Sequence, residues 1–460
     1  MSAAVSLPEG VKGFFPYPSV RPFQDEFMKI VHEAVRGGGH VVLEGSQILY
    51  TAKTHRQHDR VIEELNAIAK RRRVSGLSIR GRQEACFHPL VLESRLDARA
   101  AMEVCEQLKA GDKCPYYVHI QENYERFAEV QVHITSRPFR APEVQEICRA
   151  EGFCPYELNK QILGEVDVAA LSYLYVFDPV IRGAFLKHLE KPLSQVLLVV
   201  DEAHNLPNAA VDMASDSLSL FALRRAEQEA GEYEYTEIAK FFRKFRALVE
   251  KMAAQIKDET HVPPEHLMGR IVTKAGIDEP LSFFDHLHNV GNGIKRSLLA
   301  EGKPPRSFIH RAGEFLLKWV ETAQDASYTH VLSKYVTERG TVSARLEVVA
   351  LDPSKITGPV FSAVHSSINV SGTLEPLESY VKITSLPEET VRRALPSPFP
   401  EENILSLVCC GVTTTMERRT REMYRKLAKR VAEISRYTPA NVGVFTASYE
   451  VLEGLLQAEL

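Results

Sequence analysis

Val196-Leu197-Leu198-Val199-Val200-Asp201-Glu202-Ala203-His204 decides the architecture of this chain. Five consecutive apolar residues rich in valine are the pattern of a short strand buried on both faces of a parallel sheet. Two carboxylates follow at its carboxyl end, which is where open α/β sheets gather their ligands. Adjacent acids there suit a nucleotide motor. One would hold Mg²⁺, which takes oxygen ligands and bridges the β- and γ-phosphates, and the other would polarise the attacking water. The plainer alternative is an Asp-Glu pair that only begins a helix, where acidic side chains favour the dipole. The apolar strand directly before the pair favours the nucleotide box.

Working outward, short apolar runs at 40–43, 48–51, 168–171 and 367–370 are further strand candidates. Helical patterns fill the intervals, at 27–34, 61–69 and 179–190. Strands alternating with helices indicate a doubly wound parallel sheet. Residues 207–350 differ: charged helical segments dominate, with a strand signal only at 345–350, so they form a mostly helical insertion. After Pro396-Ser397-Pro398-Phe399-Pro400 a second α/β segment begins, with strand patterns at 404–408 and 442–445 around a helix at 414–436. The 460 residues suggest about three domains. No apolar run approaches the ~18 residues of a membrane span, and the start, Met1-Ser2-Ala3-Ala4-Val5, has no secretory pattern, so the cytoplasm is the default compartment. A net charge of −4 gives no bulk sign of nucleic acid. The basic run Lys70-Arg71-Arg72-Arg73, with Arg80 and Arg82, is either a solvated helix end or one wall of a DNA channel.

Five of the seven cysteines fall between residues 86 and 154. Cys86, Cys105, Cys114 and Cys154 are separated by 18, 8 and 39 residues, too wide for paired zinc knuckles. Four thiolates converging from separate loops can hold a [4Fe–4S] cluster or a structural zinc, and chemistry alone does not choose between them. Unligated buried thiols are a third option. Cys148 lies in an ordinary helical context and is expected to be a core or surface thiol; the surroundings of Cys105 are undistinguished. Cys409-Cys410 follows a strand pattern and suggests packing.

Asp201-Glu202-Ala203-His204-Asn205-Leu206 resembles the D-E-A-H box of superfamily 2 helicases, specifically the XPD type. Other segments are similar in the same order: Arg21-Pro22-Phe23-Gln24, Thr51-Ala52-Lys53-Thr54-His55, Ser371-Gly372-Thr373-Leu374 and the Ser448-Tyr449 region. The resemblance implies a P-loop NTPase-like (RecA-like) α/β fold. A first motor domain would comprise 1–80 with 161–206 and 356–395, an iron–sulfur domain 81–160, a helical arch 207–355, and the start of a second motor domain 396–460. It implies an ATP-dependent 5′→3′ DNA helicase that couples ATP hydrolysis to single-stranded DNA translocation in DNA repair. In that scheme Arg21 and Gln24 read adenine, and Asp201, Glu202 and His204 serve the ATP–Mg²⁺ site. Lys53, Thr54 and His55 belong to the DNA backbone contact, and Ser371, Gly372 and Thr373 couple the two sites. Cys86, Cys105, Cys114 and Cys154 ligate a [4Fe–4S] cluster that stiffens the domain beside the DNA pore. Expected partners are single-stranded DNA and repair-complex proteins, with no membrane association, and the chain is expected to be a monomer.

Two parts of the pattern are missing. A phosphate loop needs G-x-x-x-x-G-K-[ST], whose amides cradle the phosphates while the lysine reaches the β/γ-phosphates. The family places it after the strand that ends here at Leu43-Glu44-Gly45, but the chain continues Ser46-Gln47-Ile48-Leu49-Tyr50. Gly302-Lys303 is followed by Pro304 and does not qualify. A parallel crossover takes a dozen or more residues, so a deletion on the order of 20–25 residues is inferred. Strands 40–43 and 48–51 are then not expected to hold their family positions together. The family's Q-x-x-G-R-x-x-R segment, which carries an arginine finger, does not occur before Leu460. The chain is therefore expected to lack ATP hydrolysis. The alternative to a working helicase is a non-catalytic remnant that grips single strands by phosphate contacts and stacking, with Tyr116, Tyr117 and Tyr173 as stacking candidates. A mispredicted or decayed gene is the third option.

Overall fold

The computed structural model describes residues 7, 9–12, 15–21, 23–37, 47–92, 98–337, 340–397, 401–403 and 405–458. Pro22, the expected strand 40–43 and the Gly45-Ser46 junction lie outside them. Ten strands occur among the described residues. The first five are β1 (Gln47–Ala52), β2 (Gly76–Ser78), β3 (Pro138–Phe139), β4 (Val168–Ser172) and β5 (Val196–Asp201). They are followed by β6 (Asp216–Ser219), β7 (Glu259–His261), β8 (Tyr328–Val336), β9 (Val342–Ala350) and β10 (Ser366–Val370). The chain divides into two compact units, Met1–Leu395 and Pro396–Leu460.

In the first unit a six-stranded parallel sheet runs in the order β10-β5-β1-β4-β2-β3. Leu49, Ala169, Leu171, Leu198 and Val200 are buried in it, as the apolar runs require. β10 differs. It pairs with β5 on one side only among the described residues, and all five of its residues are partly exposed.

The helix His55–Ala69 starts six residues before the expected boundary. Its signal is a capping box: Gln57 N donates to Thr54 Oγ1 at 3.4 Å and Thr54 N donates to Gln57 Oε1 at 3.0 Å. This helix buries His58 against the end of β1, with Nε2 3.1 Å from the Ala52 carbonyl and Nδ1 without a partner. Burial pushes the His58 imidazole down from 6.5 to about 4. Between those values the unfolded chain binds a proton that the folded chain refuses, so stability rises with pH across the window. Acidification through it is expected to cost on the order of 3 kcal/mol from this group. Urea unfolding midpoints measured near pH 7 and near pH 5 check this: His58→Gln should flatten the difference between them.

Residues 207–350 are mostly helical, but they also hold strands beyond the one signalled at 345–350. They contain a four-stranded antiparallel sheet, β6-β9-β8-β7, against the helices Leu220–Glu232, Thr236–Ala254, Pro280–Ala300 and Phe308–Glu321. Strand β8 escaped detection because its buried positions include His330 and Ser333 alongside Leu332, which dilutes the apolar alternation. The core here is aromatic, with Phe241, Phe242, Phe245, Phe284, Phe315 and Trp319 fully buried.

In the second unit the helices Arg421–Tyr437 and Tyr449–Gln457 pack through Ala428, Val451 and Leu455. The strands expected at 404–408 and 442–445 do not form among the described residues. Leu405, Leu407, Val408 and Phe445 are exposed, and Cys409 and Cys410 are exposed rather than packed. Two such segments without further strands are at best marginal, because their backbone groups gain little over water.

Candidate functional site

Sheet register sets the site. Val370 lies opposite Asp201 and Val200 opposite Thr51, so the carboxyl ends of β10, β5 and β1 stand side by side. That brings together Ser371, the Asp201-Glu202 pair and Lys53-Thr54, which are far apart in sequence. His204 Nδ1 lies 2.6 Å from Ser371 Oγ and 3.3 Å from a Glu202 carboxylate oxygen. Ser371 Oγ also accepts from Thr373 N at 3.2 Å, so the hydroxyl links the turn after β10 to the turn after β5. Lys53 Nζ donates to Asn205 Oδ1 at 3.2 Å, tying the end of β1 to the same turn. Gly372, Thr373, Thr54 and His55 are exposed around this junction.

The acidic pair is held firmly. Gln57 Nε2 donates to Asp201 Oδ2 at 3.4 Å, and the Tyr50 phenol is hydrogen-bonded to the same carboxylate. Burial and the Asp201 charge push the Tyr50 phenol well above its usual range. Glu202 has φ 49° and ψ 46°, the left-handed region that costs a non-glycine residue about 1–2 kcal/mol. The hydroxyl of buried Tyr173 donates to the Asp201 and Glu202 carbonyls and braces this turn. Of the two roles open to it from sequence, stacking surface or buried tyrosine, Tyr173 takes the second and braces the turn. Gln57, Asn205 and Tyr173 were not singled out as supports of the site; only their positions after β1, after β5 and at the end of β4 disclose them.

The second constellation is built on helix ends. Cys86 caps the carboxyl end of the helix Arg82–Ala85, and Cys105 lies within Ala98–Ala110. Cys114 and Cys154 each precede a helix, Pro115–Glu122 and Pro155–Gln161, with proline at its first position. Backbone amides reach the sulfurs: His88 N to Cys86 Sγ at 3.3 Å, Tyr116 and Tyr117 to Cys114, and Glu157 to Cys154. The Arg82 guanidinium is hydrogen-bonded to Cys105. Burial pushes every one of these thiols up, Cys86 to about 11. Cys105 and Cys114 stand near enough to Cys86, and Cys105 and Cys86 near enough to Cys154, to help raise these thiols. Cys148 is fully buried in the main core, and its electrostatic surroundings contain Glu151 and no other cysteine. Around the four thiols Arg82 pairs with Glu106 at 3.1 Å, while Lys109 and Lys160 pair with Glu157 at 3.0 and 2.9 Å. Three cations against two carboxylates leave a positive surround, which suits thiolate ligands.

Comparison with known proteins matches two family models in succession: DEAD_2 over residues 50–223 and a helical and beta-bridge domain over residues 226–435. The XPD helicase subunit of general transcription and DNA repair factor IIH from Schizosaccharomyces pombe is 23% identical, over 96% of this chain and 70% of its own. The XPD/RAD3 subunit from Saccharomyces cerevisiae is 20% identical, over 96% and 69%. A solved XPD helicase shares the fold at a TM-score of 0.58 and 18% identity, covering 96% of this chain and 75% of that one. The chain belongs to the XPD-type superfamily 2 helicases.

Lys53, Thr54, His55, Asp201, Glu202, His204 and the four cysteines lie inside the DEAD_2 match, and Ser371, Gly372 and Thr373 inside the helical and beta-bridge match. The alignment with the fission yeast XPD subunit spans 547 positions against 460 residues here, so that protein carries residues with no counterpart in this chain. No described helix is long and apolar enough to cross a membrane. Beside the acidic pair of this XPD-type chain lies a cavity of about 740 Å³. Its walls are the half-exposed β10, the Asp201-Glu202 pair, Phe27, Ile30 and Val31 of the helix Gln24–Gly37, and the segment 390–395. Arg21 and Gln24 are not part of that wall; Arg21 N donates to Gln24 Oε1 at 3.0 Å. Arg392 and Arg393 do line it, two cations that belong to no motif.

Proposed function

We propose that this chain is the DNA-gripping body of an ATP-dependent 5′→3′ DNA helicase of the XPD type that serves DNA repair. As written it binds single-stranded DNA as a monomer without appreciable ATP turnover. The observation that carries this is the His204–Ser371 hydrogen bond, which joins the acidic strand end to the neighbouring turn. Such a bond is the physical link a motor needs between a nucleotide site and a moving strand. Asp201 would hold Mg²⁺ and Glu202 would orient water, with Ser371, Gly372 and Thr373 transmitting the state of the site. Lys53, Thr54 and His55 would meet the DNA backbone, and Arg21 and Gln24 would meet the base of the nucleotide. The segments 1–80, 161–206 and 356–395 would act as the first motor domain, 81–160 as the cluster domain, 207–355 as the arch and 396–460 as the opening of the second motor domain. Because the yeast relatives are named as subunits of a transcription and repair factor, proteins of a repair assembly are the proposed partners.

Cys86, Cys105, Cys114 and Cys154 would hold a [4Fe–4S] cluster. Tetrahedral zinc with Zn–S bonds of about 2.3 Å draws its sulfurs to about 3.8 Å apart. Among the described residues no three cysteine sulfurs lie within 4.8 Å of one another. The wider spacing, the amide–sulfur hydrogen bonds and the positive surround support the larger centre. When bound, the cluster supplies a rigid cross-link between the helix ends.

Fluorescence polarisation of a labelled single-stranded oligonucleotide tests the DNA function. Binding should weaken linearly in log–log form as salt rises, with a slope near −0.7 per phosphate contacted. Lys53→Ala should weaken binding on all sequences alike and reduce the slope by roughly one contact. Absence of binding at low salt, or binding indifferent to salt, contradicts the proposal.

A further inference from the structure

The helices Pro280–Ala300 and Phe308–Glu321 form a hairpin held unusually close by two glycines. A Cβ on Gly291 would collide with the backbone of His310, and one on Gly313 would meet His288 N at 2.8 Å. Each glycine thus receives the histidine of the opposite helix, and the two imidazoles come to 4.4 Å between ring centres. Glu314, one turn after His310 on the same face, places a carboxylate oxygen 3.2 Å from His310 Nδ1. One ligand atom from each of His288, His310 and Glu314 lies within 4.8 Å of the others.

We propose that His288, His310 and Glu314 form a transition-metal site, with Zn²⁺ the best-matched cation. Two imidazoles and one carboxylate are an established protein donor set for zinc, with a fourth position left to water. Ligands on one tetrahedral zinc stand about 3.3 Å apart, given bonds of about 2.0–2.1 Å, which is the spacing His310 and Glu314 already have. Asn292 lies 3.4 Å from His288 Nδ1 and orients that ring, leaving Nε2 to face the cation. Glu314 is partly exposed, which gives the ion a way in from solvent.

The strongest objection is Lys295, a buried ammonium 3.4 Å from both ring nitrogens of His310. A donor seated on one imidazole lone pair cannot be equally close to the other nitrogen, so Lys295 occupies neither. Its charge is matched by Glu103 of the helix Ala98–Ala110, with which it forms an ion pair. With neutral imidazoles, Glu103 and Glu314 against Lys295 leave the group at −1, and a divalent cation reverses that sign instead of adding to an existing excess. The bland alternative is an i,i+4 pair in which His310 donates a proton to Glu314, and it leaves the second imidazole without a role.

The test uses anaerobically purified, iron-loaded full chain titrated with Zn²⁺ alone by calorimetry, with bound zinc and iron measured on the recovered protein. Wild type is expected to bind a zinc ion that is lost, or held at least tenfold more weakly, in both His288→Gln and Glu314→Gln while iron content stays unchanged. Both positions are at least partly exposed, so the variants should fold, which a circular-dichroism melt checks. Wild type that takes no zinc at this site, or variants that bind zinc as wild type does, overturns the proposal.

Discussion

ATP hydrolysis by this chain is expected to lie on the order of 10³-fold or more below that of an XPD-type enzyme with an intact phosphate loop, even with single-stranded DNA at saturation. Removing one preorganised donor from a transition state typically costs about 10²–10³ in rate, and a phosphate loop supplies several amides and a lysine together. Here the order Glu44-Gly45-Ser46-Gln47-Ile48 offers no glycine-lysine pair between the helix Gln24–Gly37 and β1. Asp201 and Glu202 remain in place, but the sequence carries no phosphate-loop motif to cradle the phosphates that Mg²⁺ would bridge. Phosphate release measured beside Glu202→Gln separates true turnover from contamination, since any residual signal should be the same in both proteins. Insertion of about 20–25 residues bearing G-x-x-x-x-G-K-T between Gly45 and Ile48 is expected to raise ATP affinity, because it supplies a parallel crossover together with the cradle. DNA-stimulated turnover that Glu202→Gln abolishes in the unaltered chain would show the phosphates to be held by other groups, and Arg392 and Arg393 in the cavity wall would be the first to examine.

Cys114→Ser and Cys154→Ser are expected to strip most of the iron and to lower the unfolding temperature of the cluster domain by about 10 °C, the equivalent of about 2 kcal/mol in a domain of that size. Both sulfurs are nearly buried at helix starts and accept amide hydrogen bonds, so each loss unties a helix end as well as a ligand. Cys105→Ala should behave alike, although Cys105 sits within a helix. Cys148→Ala should keep its iron, because the electrostatic surroundings of Cys148 contain Glu151 and no other cysteine. Iron retained in Cys105→Ala and lost in Cys148→Ala would reverse the ligand assignment.

Much of this was legible before any coordinates. The parallel sheet followed from the valine- and leucine-rich runs at 168–171 and 196–200, because burial on both faces leaves a continuous apolar signal. The order of the box, the Ser-Gly-Thr turn and the cysteines carried the family. Elements whose buried faces hold polar groups were not legible: β8 hides His330 and Ser333, and the helix His55–Ala69 opens with Thr54, His55 and Arg56, so its apolar stripe begins late. The strand patterns at 404–408 and 442–445 misled for the opposite reason. Alternation states that a segment can pair, and pairing needs partners that those segments lack among the described residues. Within the site, Asp201, Glu202, His204 and Ser371 could be named from sequence, whereas Gln57 and the bracing role of Tyr173 could not, since those roles follow from register across strands.

The most direct test of the account is a chemical count on the anaerobically purified chain: iron and acid-labile sulfide per polypeptide, with zinc measured alongside. Iron and sulfide in equal amounts at [4Fe–4S] stoichiometry is the expected result. A colourless protein holding a single zinc on its cysteines, with neither iron nor sulfide, would contradict it.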